Sequence, residues 1–77
     1  MSDTYTNPFG ETIRAKVKGG EIVFYCDDPI IDKEDLPWRV VPTISGYMVQ
    51  TARGGLAIVD QDELAWMVGK YLEHRNK

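Results

Sequence analysis

The chain has 77 residues, 43% of them hydrophobic, so it is too apolar to be disordered and long enough for one thin core. Its formal net charge of −3 argues against the strongly basic balance on which nonspecific phosphate binding relies. Cys26 and His74 are the only cysteine and histidine in the sequence, which excludes an internal disulfide and a Cys/His metal site.

The sequence contains no run that approaches the roughly 20 apolar residues of a membrane span. Its N-terminus lacks the basic and apolar regions of a secretory signal. We therefore expect one domain over residues 1–77, located in the cytoplasm, without a metal or a cofactor and without a membrane partner.

Residues 1–10 carry turn residues around Pro8 and Gly10 and show no periodicity, which indicates an N-terminal arm. Tyr5 and Phe9 are the side chains able to hold such an arm against the domain.

Residues 12–18 alternate apolar and polar side chains, and a Gly-Gly pair separates them from residues 21–26. Paired glycines accept the positive φ angles of the turns that close two-residue hairpins. Pairing Lys18 with Glu21 gathers all the inward side chains into one apolar face. These are Ile13, Ala15, Val17, Ile22, Phe24 and Cys26.

Residues 27–37 hold five acids and two prolines, so they predict a connection with one helical turn capped by Asp32 and ended by Pro37. Trp38 is predicted in the core, and residues 39–41 as a short strand that stops at Pro42.

A second hairpin is predicted from residues 47–51 and 56–59. With a loop of two or four residues, Leu56 and Ile58 lie on the same face as Val49, while Ala57 faces the other way.

Residues 60–75 predict an amphipathic helix that begins with Asp60 as cap and Glu63 as the second member of a capping box. The 3.6-residue period gathers an apolar stripe of Leu64, Met67, Val68, Tyr71 and Leu72. Together the elements predict an α+β fold, in which residues 11–59 form a mostly antiparallel sheet of two hairpins plus a short strand. The single C-terminal helix is expected to pack on one face of that sheet.

Trp66 falls opposite the predicted stripe, beside Asp62, Lys70 and Glu73, and a large ring there needs a cover. The N-terminal arm, a second copy of the chain or another protein would each supply one. The resulting hypothesis is a small non-enzymatic protein that modulates or inhibits a larger protein, as many phage accessory proteins do, or that assembles with itself. Its contact residues would be Trp66, Asp62, Lys70 and Glu73.

A nucleic-acid-binding module is the alternative, because the outer face of the first hairpin presents cations and an aromatic ring. Its candidate contacts are Arg14, Lys16, Lys18 and Tyr25, with Arg53 from the second hairpin. An enzyme is not expected, since Cys26 lies on an apolar face and His74 at a helix end, where neither has a catalytic neighbour.

Overall fold

The structure is a computed structural model that describes residues 3–76. These residues form two antiparallel sheets and one α-helix. The first sheet has the order β1 (Thr4–Thr6), β2 (Thr12–Lys18) and β3 (Glu21–Cys26), and the second pairs β4 (Arg39–Thr43) with β5 (Gly46–Gln50). Helix α1 (Gln61–Arg75) closes the chain. This arrangement confirms the predicted α+β class.

The first hairpin has the predicted register, with Lys18 opposite Glu21 and Ile13 opposite Cys26. Gly19 and Gly20 adopt φ angles of 61° and 84°, as a primed two-residue turn requires. On the inner face Ile13 and Phe24 are completely buried, and of the six apolar side chains placed there Val17, next to the turn, is the one that stays exposed.

The N-terminal segment is a strand where an arm was predicted. Thr4–Thr6 pairs with β2, placing Tyr5 opposite Ile13. The turn between the two strands is built by Asn7, whose side-chain oxygen accepts the N–H groups of Phe9 and Glu11 at 3.0 and 2.9 Å. An asparagine that closes its own turn in this way holds β1 against the sheet, so a paired strand stands where an arm was predicted.

The second hairpin lies one strand earlier than predicted. It joins β4 to β5 through a two-residue turn at Ile44 and Ser45, and Pro42 stands within β4, opposite Tyr47. A two-stranded sheet offers proline a place because its edges need no ladder hydrogen bond. The connection before β4 is as predicted, with a single 3-10 turn over Lys33–Asp35 whose cap is Asp32.

The two sheets share one core. Phe24 of β3 and Trp38 exchange backbone hydrogen bonds of 2.8 and 2.7 Å, which join the sheets edge to edge. Trp38 is buried as predicted. Helix α1 crosses this junction and contacts β3, β4 and β5, and its Met67 is completely buried. The buried cluster consists of Ile13, Phe24, Trp38, Val40, Val49, Ala57 and Met67.

Helix α1 begins where the sequence predicts, since the carboxylate of Asp60 accepts the N–H of Glu63 at 2.8 Å. The helix is 15 residues long, and within residues 3–76 no helix has the length and apolar character needed to cross a membrane.

Candidate functional site

Trp66 does not point to solvent, so the predicted orientation of this side chain is wrong. Its ring lies 5.7 Å from the ring of Tyr5 and 5.7 Å, edge-on, from that of Phe24, and the side chain is half-buried. Strand β1 supplies the cover that the sequence alone leaves open. Trp66 is therefore part of the packing between the helix and the first sheet.

The error comes from the helix face. The buried positions of α1 are Glu63, Met67 and Lys70, so the helix is turned by about a quarter of a turn from the orientation its apolar residues predict. Glu63 is buried because the side-chain amide of Asn7 donates to it at 2.9 Å, and Lys70 lies 3.4 Å from Asp3. Polar side chains that find partners lose much of their burial penalty, so hydrophobicity alone misplaces this face.

The other predicted contact residues are divided by this rotation. Lys70 is only 4% exposed and does not form a polar rim, whereas Asp62 and Glu73 are exposed. The structure therefore does not bring Trp66, Asp62, Lys70 and Glu73 together as one accessible surface.

The alternative nucleic-acid residues are brought together in part. Arg14, Lys16 and Tyr25 share the outer face of the first sheet, and the Lys16 ammonium lies 5.5 Å from the centre of the Tyr25 ring. Arg14 is paired with Tyr25 in the sheet, but the cation–π contact with the Tyr25 ring is made by Lys16. Lys18 lies on the same face, near the turn.

Arg53 does not join this basic face. Its guanidinium donates to Asp35 at 2.7 Å, to Asp32 at 3.1 Å and to Glu34 at 3.4 Å. The hydrogen bond from Arg53 lowers the pKa of Asp35 from its ordinary value. The charge of Arg53 is thus already compensated by the 3-10 turn, while the turn keeps a net negative charge.

The loop after β5 determines which residues of the following segment face outward. Thr51 accepts a hydrogen bond from Gly54 and donates one to the carbonyl of Gly55 at 2.8 Å, which encloses three residues, 52–54. Gly54 has the positive φ of 90° that such loops need.

An odd number of loop residues shifts the register by one from the predicted even loops, and a shift of one exchanges the two faces of a strand. Ala57 is consequently buried, whereas Leu56 and Ile58 are 67% and 93% exposed. The prediction that Leu56 and Ile58 share a face with Val49 is therefore wrong.

Leu56 and Ile58 line one groove with Ile30, which is 90% exposed and follows Pro29 in the acidic connection. The groove has a volume of about 450 Å³, within the range of roughly 300–1,000 Å³ that is usual for binding clefts. Half-buried Ile31 and buried Trp38 and Ala57 complete its apolar lining. Three large aliphatic side chains from two separate segments of the chain are thus held in solvent around a common cavity.

Four carboxylates border the same cavity, and none of the side chains recorded along it is basic. Asp32 caps the 3-10 turn and Asp35 ends it, whereas Glu11 and Asp28 interact with each other. A hydrogen bond to Asp28 raises the pKa of Glu11, and the same bond lowers the pKa of Asp28. We call this surface the acidic groove, formed by Ile30, Ile31, Leu56 and Ile58 with the carboxylates of Glu11, Asp28, Asp32 and Asp35.

A second cavity, of about 520 Å³, lies beside the C-terminal half of α1 and contains basic side chains. Its Arg39 is paired with Glu21 at 3.3 Å, and its apolar lining of Ile22, Val40 and Tyr71 is buried or half-buried. That cavity presents no large exposed hydrophobic side chain among the residues recorded along it. The acidic groove is therefore the better candidate for a contact surface.

The reactive side chains occupy settings that suit structural roles. Burial raises the pKa of the Cys26 thiol, which reduces the thiolate needed for nucleophilic chemistry. A ring nitrogen of His74 lies 3.2 Å from the carbonyl of Gly20. Over residues 3–76, no three Asp, Glu, His or Cys side chains are arranged to hold a metal ion.

The sequence contains a signal for the groove that a period-based analysis misses. The signal is that Ile30 and Ile31, two large apolar side chains, stand between Pro29 and Asp32 in an acidic connection. The exposure of Ile58 has no comparable signal, because it depends on the length of the loop at 52–54.

Comparison with models of known protein families, with curated proteins and with solved structures gives no match to this chain.

Proposed function

We propose that this chain is a small, non-enzymatic protein-binding domain that docks on a larger protein through the acidic groove and modulates it. The observation that carries the proposal is the convergence of Ile30, Leu56 and Ile58, exposed by 67–93%, on one cavity. Monomeric proteins rarely leave clustered apolar side chains in water, and polar-rimmed clusters of this kind are typical of contact sites.

The proposal moves the contact surface from Trp66 on α1 to the acidic groove. A single cysteine and no disulfide support a reducing location such as the cytoplasm.

The rival function, nucleic-acid binding, has weaker support. Lys16 already covers the Tyr25 ring, Arg53 is held by three carboxylates, and the chain carries a net charge of −3. The basic face is thereby reduced to Arg14 and the two lysines of β2.

Capture from an extract of the native cells tests the proposal when it compares matched variants. Ile58→Ser removes a groove side chain, whereas Ile44→Ser removes an equally exposed isoleucine at the β4–β5 turn, outside the groove. Immobilised wild type and Ile44→Ser should retain a protein that Ile58→Ser loses, with or without nuclease treatment. Equal retention by all three contradicts the proposal, and retention that nuclease and Arg14→Ala abolish supports the rival.

A further inference from the structure

We infer that the occupant of the acidic groove is a partner segment whose apolar side chains are flanked by lysine or arginine. This inference rests on the proposed function and adds the partner's chemistry to it. It follows from charge complementarity between the groove and its occupant, because binding surfaces meet charges of opposite sign and disfavour like charges.

The charges around the groove are strongly one-sided. Glu11, Asp28, Asp32 and Asp35 border it, and Glu34 lies on the same turn as the last two. Lys33 of the same turn and Arg53, which bonds to the turn, offset two of these charges. An acidic or neutral segment placed against Ile30 and Ile58 would desolvate these carboxylates without replacing the water, whereas a cationic one would pair with them.

The carboxyl pair of Glu11 and Asp28 adds a second indication of a cationic group. The two carboxyls lie close enough to interact, which raises the pKa of Glu11 and lowers the pKa of Asp28. A lysine or arginine brought to this part of the rim would stabilise both carboxylates in their ionised form. A basic side chain that approaches here therefore meets two carboxylates at once.

The exposed aliphatic side chains define the other half of the partner's chemistry. Ile30 lies in the connection before the 3-10 turn, Leu56 and Ile58 lie in the segment between β5 and α1, and all three line the cavity, so a single apolar side chain inserted between them contacts more than one of them. Alternating apolar and basic side chains, spaced as on an extended strand, satisfy both the cavity and its rim.

Fluorescence anisotropy with three labelled synthetic peptides of about a dozen residues tests the inference. One alternates leucine with lysine, one leucine with glutamate, and one serine with lysine. The leucine–lysine peptide should bind wild type at least about tenfold more tightly than either of the others. Its affinity should fall by about tenfold in Ile58→Ser and by a few-fold in Asp28→Asn, and stay unchanged in Ile44→Ser.

The outcomes separate this inference from the proposed function. If the leucine–lysine and leucine–glutamate peptides bind equally and Ile58→Ser weakens both, the preference for basic segments is overturned while the groove remains a contact site. If no peptide responds to Ile58→Ser, both are overturned. Analytical ultracentrifugation of the chain alone tests whether a second copy occupies the groove. A dimer that dissociates in the Ile58→Ser variant would identify a second copy as the occupant and overturn the inference.

Discussion

The N–H of Ala57 donates to the carbonyl of Val49 at 2.9 Å, and this bond fixes the side of the chain on which the neighbouring residues lie. Because Ala57 is opposite Val49, its methyl group enters the core and the flanking Leu56 and Ile58 turn outward. The same register closes the three-residue loop at 52–54. The acidic groove thus exists because of loop length and not because of a hydrophobic pattern.

Substitution by aspartate should distinguish Ala57 from Ile58. Ala57→Asp buries an unpaired charge and should lower the free energy of unfolding by about 3 kcal/mol or more, while Ile58→Asp should change it by about 0.5 kcal/mol or less. Urea unfolding followed by fluorescence measures both. The reverse order of sensitivity would show that the loop is even and the register different.

Trp66→Ala should destabilise the fold, because the ring packs between Tyr5 and Phe24 with centroid distances of 5.7 Å. We expect the free energy of unfolding to fall by about 2–4 kcal/mol. The loss is smaller than for a fully buried tryptophan, because Trp66 is only half-buried. Glu73→Ala, on the exposed side of the helix, is the matched control and should be nearly neutral. An unchanged stability of Trp66→Ala would mean that β1 does not cover the ring.

Asn7→Asp should destabilise the junction between the N-terminal turn and α1 at neutral pH. The amide nitrogen of Asn7 donates to Glu11 at 2.8 Å and to Glu63 at 2.9 Å, and aspartate replaces that donor with a third carboxylate. The turn itself survives, since an aspartate oxygen still accepts the N–H groups of Phe9 and Glu11. We expect a loss of about 2 kcal/mol or more, measured by urea unfolding.

A second substitution provides the control for Asn7→Asp. Glu63→Gln in the same chain restores a donor opposite the introduced carboxylate and should recover part of the lost stability. A double variant no more stable than Asn7→Asp alone would show that the two side chains are not coupled.

Glu11→Gln should raise the melting temperature at pH 7. The pKa of Glu11 is raised by its hydrogen bond to Asp28, so the folded state holds this proton more tightly than the unfolded chain. Ionised Glu11 therefore costs stability as the pH rises through its raised pKa, and a neutral glutamine that donates to Asp28 avoids that cost.

The advantage of Glu11→Gln should disappear in acid, where the wild-type carboxyl is itself protonated. The melting temperatures of the two proteins should converge as the pH falls below 4.5, the ordinary glutamate value. Neighbouring Asn7, Asp28 and Glu63 are unchanged in the comparison, so a difference that persists in acid would contradict the raised pKa of Glu11. Thermal scans from pH 7 to acid measure this.

The elements predicted best are those fixed by local chemistry. The glycine turn and alternation of the first hairpin determine its register, and Asp60 determines the start of the helix. The 3-10 turn capped by Asp32 is equally local. In each case a few residues that are neighbours in the sequence determine the local structure.

The parts that were predicted wrongly depend on contacts between distant residues. Burial of Glu63 and Lys70 requires Asn7 and Asp3, which are more than 50 residues away, and no periodicity of the helix reveals those partners. The exposure of Ile58 depends on whether the loop at 52–54 has an odd or an even number of residues. The candidate site therefore lies at the acidic groove, which the fold assembles, and not at Trp66.

Isoleucine methyl spectra provide the most direct test of the acidic groove as a contact surface. Labelling reports on Ile30, Ile31 and Ile58 in the groove, on exposed Ile44 outside it, and on Ile13 in the core. When the partner or the leucine–lysine peptide is added, the signals of the groove isoleucines should shift while those of Ile44 and Ile13 stay in place. Shifts at Ile44 without shifts at Ile30 and Ile58 would place the contact elsewhere and contradict the proposed function.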